Sequence, residues 1–197
     1  MLAKVKSYGL MGLEGYPVDV EVDLSGGLPT YATVGLPGLA VRESKERVRA
    51  AIKNCGLVYP QQRITINLAP ADTRKEGAIY DLAIAVGLLA ASEQIPQQAL
   101  EHLVFLGELS LDGLVKPLNG ILPMVIDAFD RGERYMVVPK ENSKEASYVK
   151  GMKIIPCDNL KDLVLQLNRE KELYVAKPSQ FAPEESGYLE NFSQIKG

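Results

Sequence analysis

A mixed α/β domain is predicted, and three observations carry that expectation. The first third of the chain alternates apolar and polar residues in short runs separated by glycine turns, the period of half-buried strands. Residues 79–91 are apolar nearly all round, so a helix there must be covered on several sides. From Val104 onward strand-like and helix-like segments alternate, the order that packs helices on a mixed or parallel sheet.

Residues 4–9 and 18–24 read as the first two strands. In the second, Val18, Val20, Val22 and Leu24 point one way while Asp19, Glu21 and Asp23 form an acidic outer face. Ser25-Gly26-Gly27 turns the chain into a third strand, residues 30–34, so a β-meander is expected. Gly35-Leu36-Pro37-Gly38 breaks the sheet, and a helix over residues 39–54 follows. At about 100° per residue Val41, Val48, Ile52 and Cys55 share one face of it, and Gly56 is its natural stop. Residues 63–68 are β-branched and alternating, hence a fourth strand. Residues 69–76 are a polar loop in which Thr73 and Glu76 have capping-box spacing, although Gly77 limits any helix there. The covered helix, residues 79–91, comes next. A strand at 103–106, a helix at 118–131, a strand at 135–138 ended by Pro139 and a short helix at 143–149 follow. A strand at 153–155 and a helix at 160–167 complete the series. Beyond Leu167 the chain is charged, aperiodic and broken by Pro178, Pro183 and Gly187. The expected domain is therefore residues 1–167, with residues 168–197 a linker that leaves it.

With 46% hydrophobic residues in 197, the chain can bury one substantial core. A net charge of only −3 argues against a nucleic-acid binder by bulk electrostatics, so any phosphate contact must come from a local patch. Cys55 and Cys157 fit no metal-ligand spacing and are expected as reduced structural thiols. Residues 1–6 lead into no apolar signal core, and the longest strongly apolar stretch, residues 82–91, is about half a bilayer crossing. A soluble cytoplasmic protein without membrane contact is predicted.

No G-x-x-x-x-G-K-[ST] run is present, and the glycine pairs read as turns. His102 is the single histidine and has no neighbouring ligands, so no metal site is expected. Glu141 and Glu145, in register with Lys140 and Lys144, read as a solvated ion-paired helix. The most informative charge pattern is Arg42, Lys45, Arg49 and Lys53, which fall within about 80° of one another on the first helix. Glu43 and Glu46 can pair with some of them, and the stripe is either a solvated face or a contact for phosphate or a neighbouring subunit. On DNA it would position the backbone without reading bases. Arg74 and Lys75 would present further charge from the exposed loop. Aromatic residues are sparse and tryptophan absent, so no dense base-stacking platform is expected.

Residues 67–85, opening Asn67-Leu68-Ala69-Pro70-Ala71-Asp72, and residues 105–120, opening Phe105-Leu106-Gly107-Glu108-Leu109-Ser110, carry a recognisable pattern. Their order and spacing resemble the proteolytic domain of Lon, and Val138-Pro139-Lys140-Glu141-Asn142 continues the likeness. The resemblance implies that Ile79 holds the place of Lon's serine and Leu122 that of its lysine. Neither side chain can act as nucleophile or base. Ser110 and Lys116 lie nearby but off those positions, and a residual Ser/Lys peptidase would have to use them.

The closer resemblance is to the amino-terminal domain of the YifB/ComM family of magnesium-chelatase-like AAA+ ATPases. Besides the segments above, residues 7–15 (Ser7-Tyr8-Gly9 to Leu13-Glu14-Gly15), Val34-Gly35-Leu36-Pro37-Gly38 and Glu43-Ser44-Lys45-Glu46-Arg47-Val48 carry it over nearly all of residues 1–167. Asn191-Phe192-Ser193-Gln194-Ile195-Lys196-Gly197 resembles the stretch before the family's AAA+ module, so a longer parent protein is expected. The resemblance implies a Lon-like domain of the ribosomal S5 domain 2-like fold, itself non-catalytic and without cofactor. The parent it implies is a hexameric motor using ATP and Mg2+ to drive DNA branch migration in natural transformation or recombination. The expected role is an accessory domain supporting hexamer assembly and DNA engagement, with Arg42, Lys45, Arg49, Lys53, Arg74 and Lys75 as the DNA contact. The alternative is a purely structural oligomerisation domain whose basic stripe meets Asp19, Glu21 and Asp23 of a neighbour.

Overall fold

A computed structural model describes residues 1–179 of the chain. β1 (Leu2–Met11) and β2 (Glu14–Ser25) form a long antiparallel hairpin turning at Gly12 and Leu13. β3 (Thr30–Val34) does not continue this hairpin into the expected meander. β4 (Arg63–Ala69) lies between them instead, antiparallel to β2 and parallel to β3. The reason is apolar register. Val20, Val22 and Leu24 of β2 stand opposite Leu68, Ile66 and Ile64 of β4, making one continuous buried row. β3 has only partly buried Tyr31 and Thr33 to offer that row, and it is left at the edge. Its link to β4 is a crossover through α1 (Leu39–Asn54), as parallel neighbours require.

After β4 come α2 (Asp81–Ala91), β5 (Leu103–Phe105), a small hairpin of β6 (Glu108–Leu109) and β7 (Val115–Lys116), and α3 (Ile121–Asp130). β8 (Tyr135–Pro139), α4 (Ser143–Ala146), β9 (Lys153–Cys157) and α5 (Leu160–Leu167) follow. The β6–β7 hairpin falls between the expected strand at 103–106 and helix at 118–131, where no element was expected. The expected helix at 118–131 starts later because Gly120 enters it in the left-handed region at φ 72°. The 143–149 helix is shorter than expected and follows a 3-10 turn, Lys140–Asn142. The Thr73–Glu76 capping box does not form, because no helix begins there and Thr73 Oγ1 donates to Asp72 Oδ1 at 3.1 Å.

The strands make one seven-stranded sheet in the order β3-β4-β2-β1-β5-β8-β9. Every strand but β2 runs the same way. α2 lies fully buried on one face, so close that a Cβ on Gly87 would stand 2.7 Å from Val22 Cγ2. α1 packs beside it. α3 covers the other face, where a Cβ on Gly15 would stand 2.9 Å from the Met124 Cα. Gly15 and Val22 have opposite parity on β2, which places α2 and α3 on opposite sides. Residues 168–179, read as the start of a linker, run back along the outer edge of β9. There the Ala176 amide donates to Ile154 O at 2.8 Å, and the Ser179 amide to Ser147 O at 3.1 Å. The Asn191 to Gly197 likeness lies outside the described residues. No helix among the described residues is long and apolar enough to cross a membrane.

Candidate functional site

The carboxyl ends of the parallel strands gather at one end of the sheet, together with the β1–β2 turn. In open α/β sheets this is the end where ligand sites are built. Ile79 sits there just before α2, buried, and Leu122 lies in the first turn of α3, half-buried. Tyr16 and Tyr80 meet hydroxyl to hydroxyl at 3.2 Å, and the Tyr16 ring and Tyr80 hydroxyl crowd Gly9, where a Cβ would collide with them. Burial pushes the Tyr80 phenol well up, so it stays protonated. Ser110 is not in this group. It closes the turn of the small hairpin, donating to Asp112 Oδ1 at 2.5 Å with Leu114 O also 3.1 Å from its hydroxyl. Lys116 stands opposite Glu108 in that hairpin and is exposed. Ile79 and Leu122 thus bring only hydrocarbon to this end of the sheet.

One step further along α2 is the strongest electrostatic feature, which the sequence reading missed. Asp81 is fully buried and takes a two-pronged contact from Arg47 of α1, Nε to Oδ2 at 2.6 Å and a terminal nitrogen to Oδ1 at 3.0 Å. The Leu109 amide adds a third hydrogen bond at 3.3 Å, so α1, α2 and β6 are tied at one carboxylate. Burial raises the Asp81 pKa to about 6, against the opposing pull of Arg47. A lone aspartate leading an otherwise apolar helix was the available signal, since a charge so placed must find a partner.

Lys75 is not the exposed loop cation that the sequence predicts. It is completely buried, its ammonium donating to the carbonyls of Pro70 and, at 2.7 Å, Thr73. Its backbone joins the loop to residues 35–38, accepting from Gly38 N at 2.8 Å and donating to Leu36 O at 3.1 Å. Burial lowers its pKa. It offers no charge to an outside partner, whereas Arg74 beside it is exposed and paired with Glu76.

The α1 stripe divides in two. Lys45 and Arg49 stand over the rings of Tyr31 and Tyr59, at 5.6 and 5.9 Å from their centroids. With Pro29, Gln61 and Gln62 they line a cleft of about 160 Å³, and exposed Lys53 lies one turn beyond Arg49. Burial pushes the Tyr59 phenol up to about 12 and the Tyr31 phenol higher, so both rings stay neutral beneath the cations. Arg42 is a separate exposed cation at the other end of the helix, near Leu39. Two of the three carboxylates on the acidic face of β2 are already engaged. Lys4 pairs with Glu21 at 2.8 Å, Asn67 donates to the same carboxylate, and the amino terminus lies 3.9 Å from Asp23.

Other candidates read simply. His102 is exposed in the turn before β5. Cys157 is buried and unbridged, its thiol raised to about 12 by burial, and half-buried Cys55 is also unbridged. Lys140 pairs with Asp158 at 2.9 Å, not with the glutamates of its own helix. No three His, Cys, Asp or Glu side chains converge as metal ligands among the described residues.

The family model for subunit ChlI of Mg-chelatase matches residues 20–142. The chain is 41% identical over 175 residues to competence protein ComM of Haemophilus influenzae, covering 89% of this chain and 34% of that protein. It is 40% identical over 178 residues to YifB of Escherichia coli, covering 90% of this chain and 35% of that protein. A more distant likeness, 28% over 142 residues, links it to Lon protease 2 of Bacillus subtilis, covering 71% and 24% of the two. The chain spans about a third of the length of the ComM and YifB relatives.

Proposed function

The chain belongs to the Mg-chelatase ChlI-type family, in its YifB/ComM branch, with a Lon-like mixed α/β fold; from that premise we propose that it is the amino-terminal accessory domain of an AAA+ ATPase. Its task is to help assemble the parent and hold DNA while the motor acts, in keeping with the competence named for the Haemophilus relative. The chain itself performs no bond-breaking step at the Lon-like positions, because Ile79 and Leu122 have no nucleophilic or basic atom. ATP and Mg2+ belong to the AAA+ module of the parent. This chain carries no G-x-x-x-x-G-K-[ST] run to hold a triphosphate.

The observation that supports DNA engagement is the cleft where Lys45 and Arg49 stand over two tyrosine rings with Lys53 nearby. Cations over aromatic faces suit a phosphodiester strand without reading its sequence. The test is fluorescence anisotropy with single-stranded and branched DNA, comparing the chain with a Lys45→Glu/Arg49→Glu/Lys53→Glu variant. Salt-sensitive binding lost in the folded variant is the expected result. Absence of binding by the wild-type chain would leave only the structural role in assembly, which the exposed apolar residues at the carboxyl end of the sheet support.

A further inference from the structure

We propose that the carboxyl end of the sheet is a contact between copies of this chain. The apolar, basic start of α1 in one copy docks into an acid-rimmed groove beside α3 in the next. This deepens the assembly half of the reading above, on which it rests, and is independent of its DNA half.

Both partners of the contact are visible on one molecule. At the start of α1, Leu36 is 52% exposed and Leu39 70% exposed, with exposed Arg42 one turn further on. Leu36 is held in the left-handed region at φ 53°, a conformation a branched apolar residue avoids. The backbone bonds between Lys75 and residues 35–38 hold it there. The loop is therefore shaped to present an apolar side chain outward.

The receiving surface lies between the β1–β2 turn and α3, a groove of about 360 Å³. Leu13, 86% exposed, Leu122 and Ile126 line it, and Glu14 and Asp130 stand exposed at its rim. Asp127 is occupied by Arg131 at 2.7 Å, but Glu14 and Asp130 form no ion pair among the described residues. An apolar patch beside a free arginine thus faces an apolar patch beside free carboxylates. That complementarity selects a second copy as the occupant, since each molecule carries both halves.

The two halves lie at the same end of the sheet but on opposite faces, because α1 packs beside α2 and α3 covers the other side. One partner cannot engage both halves by a two-fold axis through a single shared patch. The contact is head-to-tail, and it closes into a ring or extends as a chain.

Sedimentation velocity of the full chain over a range of concentrations tests this. Arg42→Glu makes the α1 end acidic, and Glu14→Lys/Asp130→Lys makes the groove basic. Each variant alone sets like charges together and should associate on the order of tenfold more weakly than wild type. An equimolar mixture restores opposite charges at every junction and should regain assembly beyond dimers. Circular dichroism melts confirm that these surface variants fold. A wild-type chain that stays monomeric throughout overturns both this contact and self-assembly by this domain. Assembly that survives both variants, or a mixture that stays dissociated, overturns this contact alone and points to another surface or to a basic apolar segment of a different protein in the groove.

Discussion

Lys75 and Asp81 are both charged, both fully buried and only six residues apart, yet they are held differently. Lys75 has carbonyl oxygens and no carboxylate within the hydrogen bonds it makes, so its role is to tie residues 70–73 to the loop at Leu36. Lys75→Met keeps the aliphatic stem but strands two carbonyls. It should lower unfolding free energy by about 1–3 kcal/mol in urea denaturation, with DNA affinity unchanged in whatever fraction stays folded. Asp81 has a true counter-ion in Arg47, but burial dominates and its folded pKa, about 6, exceeds the ordinary carboxylate value near 4. Between those values the folded state binds more protons than the unfolded one. Stability from this group is therefore present below pH 4 and lost as pH rises through 6. The check is the difference in stability between wild type and Asp81→Asn, which does not titrate. Wild type should gain on the variant by about 2 kcal/mol as pH falls from 7 to 4, and a flat difference would contradict a raised pKa.

α2 is the element on which the packing turns. Its hydrophobicity has no side, and all of its residues are buried, between the sheet, α1 and the β6–β7 hairpin. Gly87 lets the helix axis come down onto β1 and β2, since a Cβ there would press on Val22 and Val5. Gly87→Val should cost about 3 kcal/mol by overpacking, read as a lower melting temperature with helix content retained. α1 behaves in the opposite way, with one face buried and the other carrying two distinct charge sites. Leu36, just ahead of it, holds a backbone conformation that costs roughly 1–2 kcal/mol in an L-residue, which the neighbouring hydrogen bonds to Lys75 maintain.

For the molecule as a whole, a net charge of −3 means that no global field draws polyanions, and in the proposed reading the attraction comes from the cleft near Lys45, Arg49 and Lys53. Three phosphate contacts on a single strand predict a fall in affinity of about 20-fold between roughly 50 and 200 mM salt. The triple reversal should remove most of that slope in the same anisotropy titration. A slope that survives the reversal would move the contact elsewhere on the surface. The opposite-face arrangement of α1 and α3 acts at the same level, because in the proposed contact it makes copies meet head-to-tail and not back-to-back.

Strand and helix identities were largely legible because they depend on local period. α1 and α5 have the bounds expected from periodicity and capping, and the parallel order of β5, β8 and β9 follows from alternation. The partner of β2 was not legible, since proximity in sequence favoured β3 while the longer matched row of Ile64, Ile66 and Leu68 belonged to β4. The four cations of α1 were visible as a stripe, but its division required Tyr31 and Tyr59 from other segments to come beneath two of them. Lys75 looked exposed because its loop is polar, and only the close approach of residues 35–38 and 70–75 buries it. Periodicity and residue chemistry were thus set along the chain. Pairing, burial of charge and the grouping of distant side chains depend on which surfaces exclude water together, and that is a property of the folded molecule alone.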